Sequence, residues 1–372
     1  TAMTKNSDLV LELISDPELI RFTHLENSEA WRSKLTKEQY ADREWTIGCQ
    51  SSLGKRKESQ NLGVFHYVLR DLSIKAENNH DNIVASCETM NRIAWRIDGK
   101  EGELTEVICA CIGGVFTLPN HRKKGYAAEM INRLNDALDR QLGSKSFTFL
   151  YSEVGEYYSK FGYDSFEVPT HSIPTENVSS TKVPKAHYHF LKYDDYQKLV
   201  ESQYSHVKQD LIQNACDTDK TLVTLAPDID IFSWFHDRDI FISKILRPEI
   251  QLKHFGAVLN QTNDHIIWLH DWNEEKLVIV RIYNENEHDL EAFKKLINIA
   301  LEEAQLYNFK EITLWDSSLG GEKHHDEAFE YIRGLKGVKT LQPNSSVSAI
   351  RLHNKTQKGD YLWLNNDKWC WF

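Results

Sequence analysis

Long hydrophobic runs are missing from this 372-residue sequence, and no apolar stretch approaches the length of a membrane span. An excess of positive charge is missing too. Lysine and arginine number 44 against 55 aspartates and glutamates, for a formal net charge of −11, which argues against general affinity for nucleic acid or for an anionic membrane surface. Cysteine is sparse: Cys49, Cys87, Cys109, Cys111, Cys216 and Cys370 have no zinc-finger spacing and accompany no secretory signal. They are expected to be reduced packing residues of an intracellular protein, cytoplasmic with the nucleus also open.

What is present, 27% charged and 41% hydrophobic residues, describes a globular chain long enough for two domains. Thr1 and Ala2 precede Met3 and are left out of the fold reasoning. Leu9 to Ile14 has strand character, Glu18 to Leu35 is helical, and Thr36-x-x-Gln39 has the pattern of a capping box. Val64 to Leu69 and Ile83 to Ile97 follow as strands of a meander.

The most informative stretch is 106 to 163. Glu106 to Thr117 is rich in β-branched and small apolar residues, as a strand buried on both faces should be, and Gly113-Gly114 interrupts it. Paired glycines there imply a bulge or close approach by a ligand. After Leu118-Pro119, Arg122-Lys123-Lys124-Gly125-Tyr126-Ala127 opens an amphipathic helix carrying Ala128, Ile131, Leu134, Asn135 and Leu138 on one stripe. A small-residue turn at a helix N-terminus offers free N–H groups and the positive end of the dipole, a seat for a pyrophosphate. Phe147 to Tyr151 is then a strand, reached by a right-handed βαβ crossover. Gly155 to Tyr163 is a short aromatic helix closed by Gly162.

Arg122-x-x-Gly125-x-Ala127 after a bulged strand, followed by helix, strand and Tyr157-Tyr158-x-Lys160-Phe161-Gly162-Tyr163, resembles the GNAT superfamily of N-acetyltransferases. Cys87-Glu88-Thr89, Arg92-Ile93-Ala94, Val115-Phe116-Thr117, Tyr126-Ala127-Ala128 with Met130, and Leu150 to Gly155 resemble the fungal lysine N6-acetyltransferase-like family. The resemblance covers about residues 1 to 165. It implies an α/β fold with a mixed sheet, with 1–168 as the acetyl-CoA-binding catalytic domain, Trp31, Tyr40 and Trp45 as candidates to line a substrate groove, and 187–372 as a GNAT-like domain contributing to the acceptor site. Acetyl-CoA would be the cosubstrate, held by Val115, Phe116, Thr117, Arg122, Lys123, Lys124, Gly125, Tyr126 and Ala127, and no metal is expected. A backbone N–H within Gly114 to Phe116 would hold the thioester oxygen. Tyr158 matches the position that protonates the leaving sulfur, with Tyr157 equally placed if the helix is rotated.

The general base is open among Glu106, which precedes the bulge, and His66 and Glu88 on neighbouring strands. A further candidate is the α-carboxylate of Phe372, which follows an aromatic terminus expected to dock. The reaction implied is acetyl transfer to an amine, free L-lysine or a related small amine. A protein or histone acetyltransferase, and a CoA-binding regulator without turnover, remain alternatives. No nucleic-acid or membrane partner is expected, and oligomeric state is not legible.

Residues 164 to 186 carry Pro169, Pro174 and Pro184 among threonines and serines, so the expectation is a last strand and then a connector over 169–186. The remainder, 187–372, has its own grammar. Asp194 to Asn214 is helical, His254 to Leu259, Ile266 to Leu269 and Lys276 to Tyr283 are strands, Leu290 to Tyr307 is an amphipathic helix, and Glu311 to Trp315 is a strand. The order echoes the first domain, but the acidic stretch Asn284 to Asp289 replaces the basic glycine loop. The expectation is a degenerate GNAT-like half that binds no CoA, against an unrelated α+β domain.

Overall fold

The computed structural model describes residues 8–56, 60–192, 195–286 and 289–370, without the side chains of 322 and 323. In chain order, β1 (Leu9–Ile14) leads to α1 (Pro17–Trp31) and α2 (Lys37–Trp45). Asp16 caps α1 by accepting from the Glu18 N–H, with Pro17 at the first turn where its missing N–H costs nothing. The capping box on α2 is present in both directions, Thr36 with Gln39. Three long strands follow: β2 (Gly63–Asp71), β3 (Ile83–Asp98) and β4 (Thr105–Thr117). Then come α3 (Tyr126–Leu142), β5 (Phe147–Ser152) and β6 (Asp164–Ser165).

The second half contributes β7 (Thr170–Pro174), β8 (Tyr188–Phe190), α4 (Tyr196–Ala215), β9 (Thr221–Leu225) and α5 (Ile229–Leu246). It continues with β10 (Gly256–Leu259), β11 (His265–Asp271), β12 (Lys276–Tyr283), α6 (Leu290–Leu306) and β13 (Glu311–Trp315). It closes with α7 (Glu322–Arg333), β14 (Lys339–Gln342), β15 (Val347–Leu352) and β16 (Tyr361–Trp363). Among the described residues two sheets form. The first has nine strands, ordered β1-β2-β3-β4-β5-β15-β6, with β9 paired to β3 and β16 to β9. The second has seven, ordered β14-β7-β13-β12-β11-β10-β8.

β4 explains its own composition. Cys109 and Cys111 enter the large core that joins the two halves, whereas Ala110 and Ile112 enter a second cluster under α3. With both faces covered, no polar alternation survives in the sequence. The α3 stripe packs as its spacing predicts, with Met130, Ile131, Leu134 and Leu138 all buried.

Two expectations need correcting. Residues 169–186 are not a connector: Thr170–Pro174 is a strand of the second sheet, antiparallel to β13 from Thr170–Trp315 to Pro174–Glu311. The flanking prolines gave it the look of a linker, but Pro174 sits at the strand end, where a missing N–H is tolerated. Nor is the boundary between halves clean. β15 pairs with β5 along its whole length, from Val347–Ser152 to Leu352–Phe147, and β9 pairs with β3, so the first sheet is completed by the second half. The helix placed at Asp194 is helical from Tyr196, and Asp194 itself lies outside the described residues.

Candidate active site

The site begins with a register fault. β3 and β4 pair as Ser86–Phe116 and then Glu88–Gly113, so Gly114 and Val115 together oppose Cys87: a bulge at the paired glycines. Gly114 sits at φ 59, the left-handed region that favours glycine, with the Glu88 carboxylate in ordinary contact at 3.4 Å from where a Cβ would stand. β4 and β5 run parallel only as far as Ile112–Leu150. Beyond that pair the bulge turns β4 away and the strands part.

A cavity of about 320 Å³ opens there. Its first-half wall includes Glu88, Gly113 to Val115, Leu150 to Val154 and Tyr158, with Trp31 and Tyr40 from α1 and α2; α5 of the second half adds Trp234 and Arg238. Trp45 does not line it.

Glu88 lines this space opposite the bulge, and Glu44 and Glu153 are also in the wall. His66 lies directly across from it on β2, with Nε2 3.3 Å from Glu88 Oε2, and His24 of α1 approaches the same oxygen at 3.5 Å. Both histidines are buried. Burial pushes His24 down, but the hydrogen bond and charge of Glu88 outweigh it and leave its pKa raised. The three residues bring ligand atoms within 4.8 Å of one another, so they could also hold a metal ion. Tyr158 is half-buried, and burial followed by the neighbouring Tyr157 pushes its hydroxyl up to about 12, so it stays protonated as a donor. Tyr157 packs edge-on against Tyr158 at 5.2 Å and under the Lys160 ammonium, and it is not part of the cavity wall.

A second charged set lines the same cavity. Arg43 donates to Glu44 at 2.8 Å and its guanidinium covers the Tyr40 ring at 5.0 Å. Burial raises Glu44, but the charges of Arg43, His24 and Arg238 more than reverse this and hold its carboxyl below the usual range. Burial, with repulsion from Arg43, brings Arg238 down to about 10.

The anion seat stands at the start of α3. Gly125 caps the helix at φ 79 with no side-chain hydrogen bond, and a Cβ built on it would meet nothing within 4 Å. The cap residue thus supplies no side-chain acceptor to the first turn, and the space beside it is open. Lys123 and Lys124 are exposed beside it. Arg122 instead turns back on the strand end, donating to the Thr117 carbonyl at 3.2 Å and lying over Phe116 at 5.2 Å. Tyr126 offers only backbone, since its buried side chain donates to Asp71.

Glu106 is not brought to this site. It pairs with Trp95 at the far end of β4, exposed, and strand alternation puts Trp95 and Glu88 on opposite faces of β3. Phe372 lies outside the described residues. His24, Arg43, Glu44 and Arg238 were missed by the sequence reading. His24 and Glu44 sit on helices whose face toward the sheet was unknown, and α5 itself was not predicted.

A parallel strand pair parting at a bulge, followed by a glycine-capped helix, is the architecture of the GNAT N-acetyltransferases, and the chain belongs to that superfamily. Residues 55–166 match its "Acetyltransferase (GNAT) domain" and residues 170–372 its "LYC1 GNAT-like C-terminal domain", which makes this an acetyl-CoA-dependent acyltransferase with two GNAT-type halves. It is similar over 100% of both chains, at 38% identity, to the uncharacterized protein YGR111W of Saccharomyces cerevisiae. It is 25% identical to a lysine acetyltransferase of Yarrowia lipolytica, over 97% of this chain and 99% of that one. In fold it resembles a GCN5-related N-acetyltransferase from Anabaena variabilis, with a TM-score of 0.55, 13% identity and 93% and 73% of the chains covered. It also resembles a tandem GNAT protein of the clavulanic acid biosynthesis pathway, with a TM-score of 0.50, 9% identity and 94% and 100% covered.

Proposed function

We propose that the chain transfers the acetyl group of acetyl-CoA to the side-chain amine of a small amino acid, with N6 of free L-lysine the leading acceptor. The observation that carries this is the cavity at the parting strands. It places the Glu88 carboxylate and the Tyr158 phenol in the same wall as the glycine bulge, together with the opposed charges of Glu44, Arg43 and Arg238. Amine acetylation needs a base for the ammonium and an acid for the departing thiolate. Glu88 takes the proton from the acceptor, and His24 and His66 orient its carboxylate. Tyr158 gives its proton to sulfur. A backbone N–H between Gly114 and Phe116 steadies the thioester oxygen, while the first-turn amides of α3 with Lys123 and Lys124 hold the diphosphate.

The charges of Glu44, Arg43 and Arg238 suit an acceptor with both an α-ammonium, drawn to Glu44, and an α-carboxylate, drawn to the arginines. A cavity of about 320 Å³ roofed by α5 favours a free amino acid over a protein tail. The relative described as a lysine acetyltransferase points to the same acceptor. The test is release of free CoA from acetyl-CoA with a panel of amines. L-Lysine should stimulate it far above cadaverine, which lacks the carboxylate, and 6-aminohexanoate, which lacks the α-ammonium. No stimulation by any free amine would overturn the reading.

A further inference from the structure

The second half repeats, at its own centre, the strand geometry that opens the first cavity. β12 and β13 run parallel only at Leu277–Ile312 and Val278–Thr313. The register of β12 with β11 then jumps from Ile279–Trp268 to Arg281–Ile267, a bulge at Val280. Past it lies a cavity of about 850 Å³, walled by the end of β12, the turn after β13 and the segment around 363–369. It shares no lining residue with the first. The Tyr151 hydroxyl, from the wall of the first cavity, donates to Asn366 in the wall of the second at 3.1 Å.

Two charges in this wall are incompletely used. Arg281 is only 7% exposed and makes no hydrogen bond or ion pair with any described residue, its Nε being buried without a partner. Its guanidinium lies over the Trp369 ring at 5.0 Å, which fixes its plane. Asp367 is 5% exposed. Its Oδ1 accepts from the hydroxyls of Ser317 at 3.1 Å and Ser318 at 2.8 Å and from the Lys368 N–H at 2.8 Å, whereas Oδ2 has no hydrogen-bond donor among the described residues. The two side chains do not form an ion pair with each other, though the Arg281 charge opposes the rise that burial imposes on the Asp367 carboxyl. Asn284 Nδ2, Trp363 Nε1 and Trp369 Nε1 are further buried donors in the same wall without hydrogen-bond partners among the described residues.

A guanidinium buried without hydrogen bonds is costly, and a bidentate carboxylate is its best complement. A free guanidinium fork and a free carboxylate oxygen in one cavity fit the two ends of a zwitterion. A diphosphate fits less well, because the neighbouring helix α6 starts with Asp289 as its cap and Glu291 in its first turn, where carboxylates already occupy the positive dipole end. We propose that the cavity of the second half is a separate binding site for a free α-amino acid, with Arg281 holding the carboxylate and Asp367 the ammonium.

Calorimetric titration of the full chain with the common L-amino acids, at saturating CoA, tests this. At least one should bind, and its α-carboxamide and its des-amino analogue should each bind about tenfold or more weakly, since each loses a charge-assisted contact. Arg281→Gln and Asp367→Asn should abolish that binding yet leave the CoA titration unchanged, and Arg238→Gln in the first cavity should leave it intact. No binding by any amino acid, equal binding of acid and carboxamide, or loss in Arg238→Gln but not in Arg281→Gln would each overturn the proposal. Should Arg281→Gln fail to fold, the two analogues and Arg238→Gln still decide. CoA release with L-lysine is read separately, so failure here does not touch the acetyl-transfer reading.

Discussion

At the scale of single residues, Tyr158 and Glu88 carry separable predictions. Tyr158→Phe removes the proposed proton donor and keeps the ring packed against Phe161 and Tyr163, so kcat should fall by roughly 10²-fold or more with little change in acetyl-CoA affinity. Glu88→Gln should lower kcat comparably. If the Glu88 trio instead held a metal ion, dialysis against EDTA would abolish turnover. The expected result is no change, with the metal content of the dialysed protein measured alongside. Gly125→Asp should abolish CoA binding in a titration while preserving the circular dichroism spectrum: its Cβ has room, but the position requires φ 79 and the carboxylate would stand before the anion seat. Much of this site was legible: the glycine pair, the basic loop and the aromatic helix all rest on local backbone needs visible in a short string. The base was not. Glu106 and Glu88 are both strand glutamates, and only register reveals that one ends up exposed beside Trp95 and the other beside two buried histidines.

At the scale of elements, long strands and amphipathic helices were readable, several to the residue, because periodicity extends over enough positions to be decisive. Lys276–Tyr283 and Glu311–Trp315 are examples. β9, β15 and β16 were not. Each is short, and each is a strand because of a partner far away in sequence, which no local pattern announces. α5 escaped for a related reason: Ile231, Phe232, Trp234, Phe235 and Ile242 are all buried, so apolar residues cluster around the helix instead of marking one stripe. β15 gives the clearest test. Ile350 is fully buried between β5 and β6, and Ile350→Ala should cost about 2–5 kcal/mol in urea denaturation. The damage should appear in the first sheet, as faster amide exchange along β5.

At the scale of the whole molecule, one large core runs through both halves, taking in Met90, Phe149 and Tyr151 from the first and Val258, Val280 and Trp315 from the second. Stability therefore belongs to the chain, and a buried titratable group anywhere in it weights the whole. His270 is such a group. Burial alone would lower its pKa, but Asp239 at 2.7 Å and Glu303 at 3.6 Å raise it to about 9. A raised folded-state value means that the contribution is complete below about pH 6.5, where the unfolded histidine is also protonated, and is lost as pH climbs through 9. Urea midpoints should accordingly fall between pH 6.5 and 9 in the wild type. In His270→Gln they should be lower overall and flatter across that window.

The borrowed strand also sets a timetable. β5 is translated with one edge bare, and the partner that covers it, β15, is made about 200 residues later. At roughly 5–20 residues per second the nascent chain displays that edge for some 10–40 s. Its sequence, Phe-Thr-Phe-Leu-Tyr-Ser, is uncharged, aromatic and free of proline, the composition most prone to pair with a stranger. Synthesis on the ribosome, not the finished fold, is where this molecule is most exposed to misassembly.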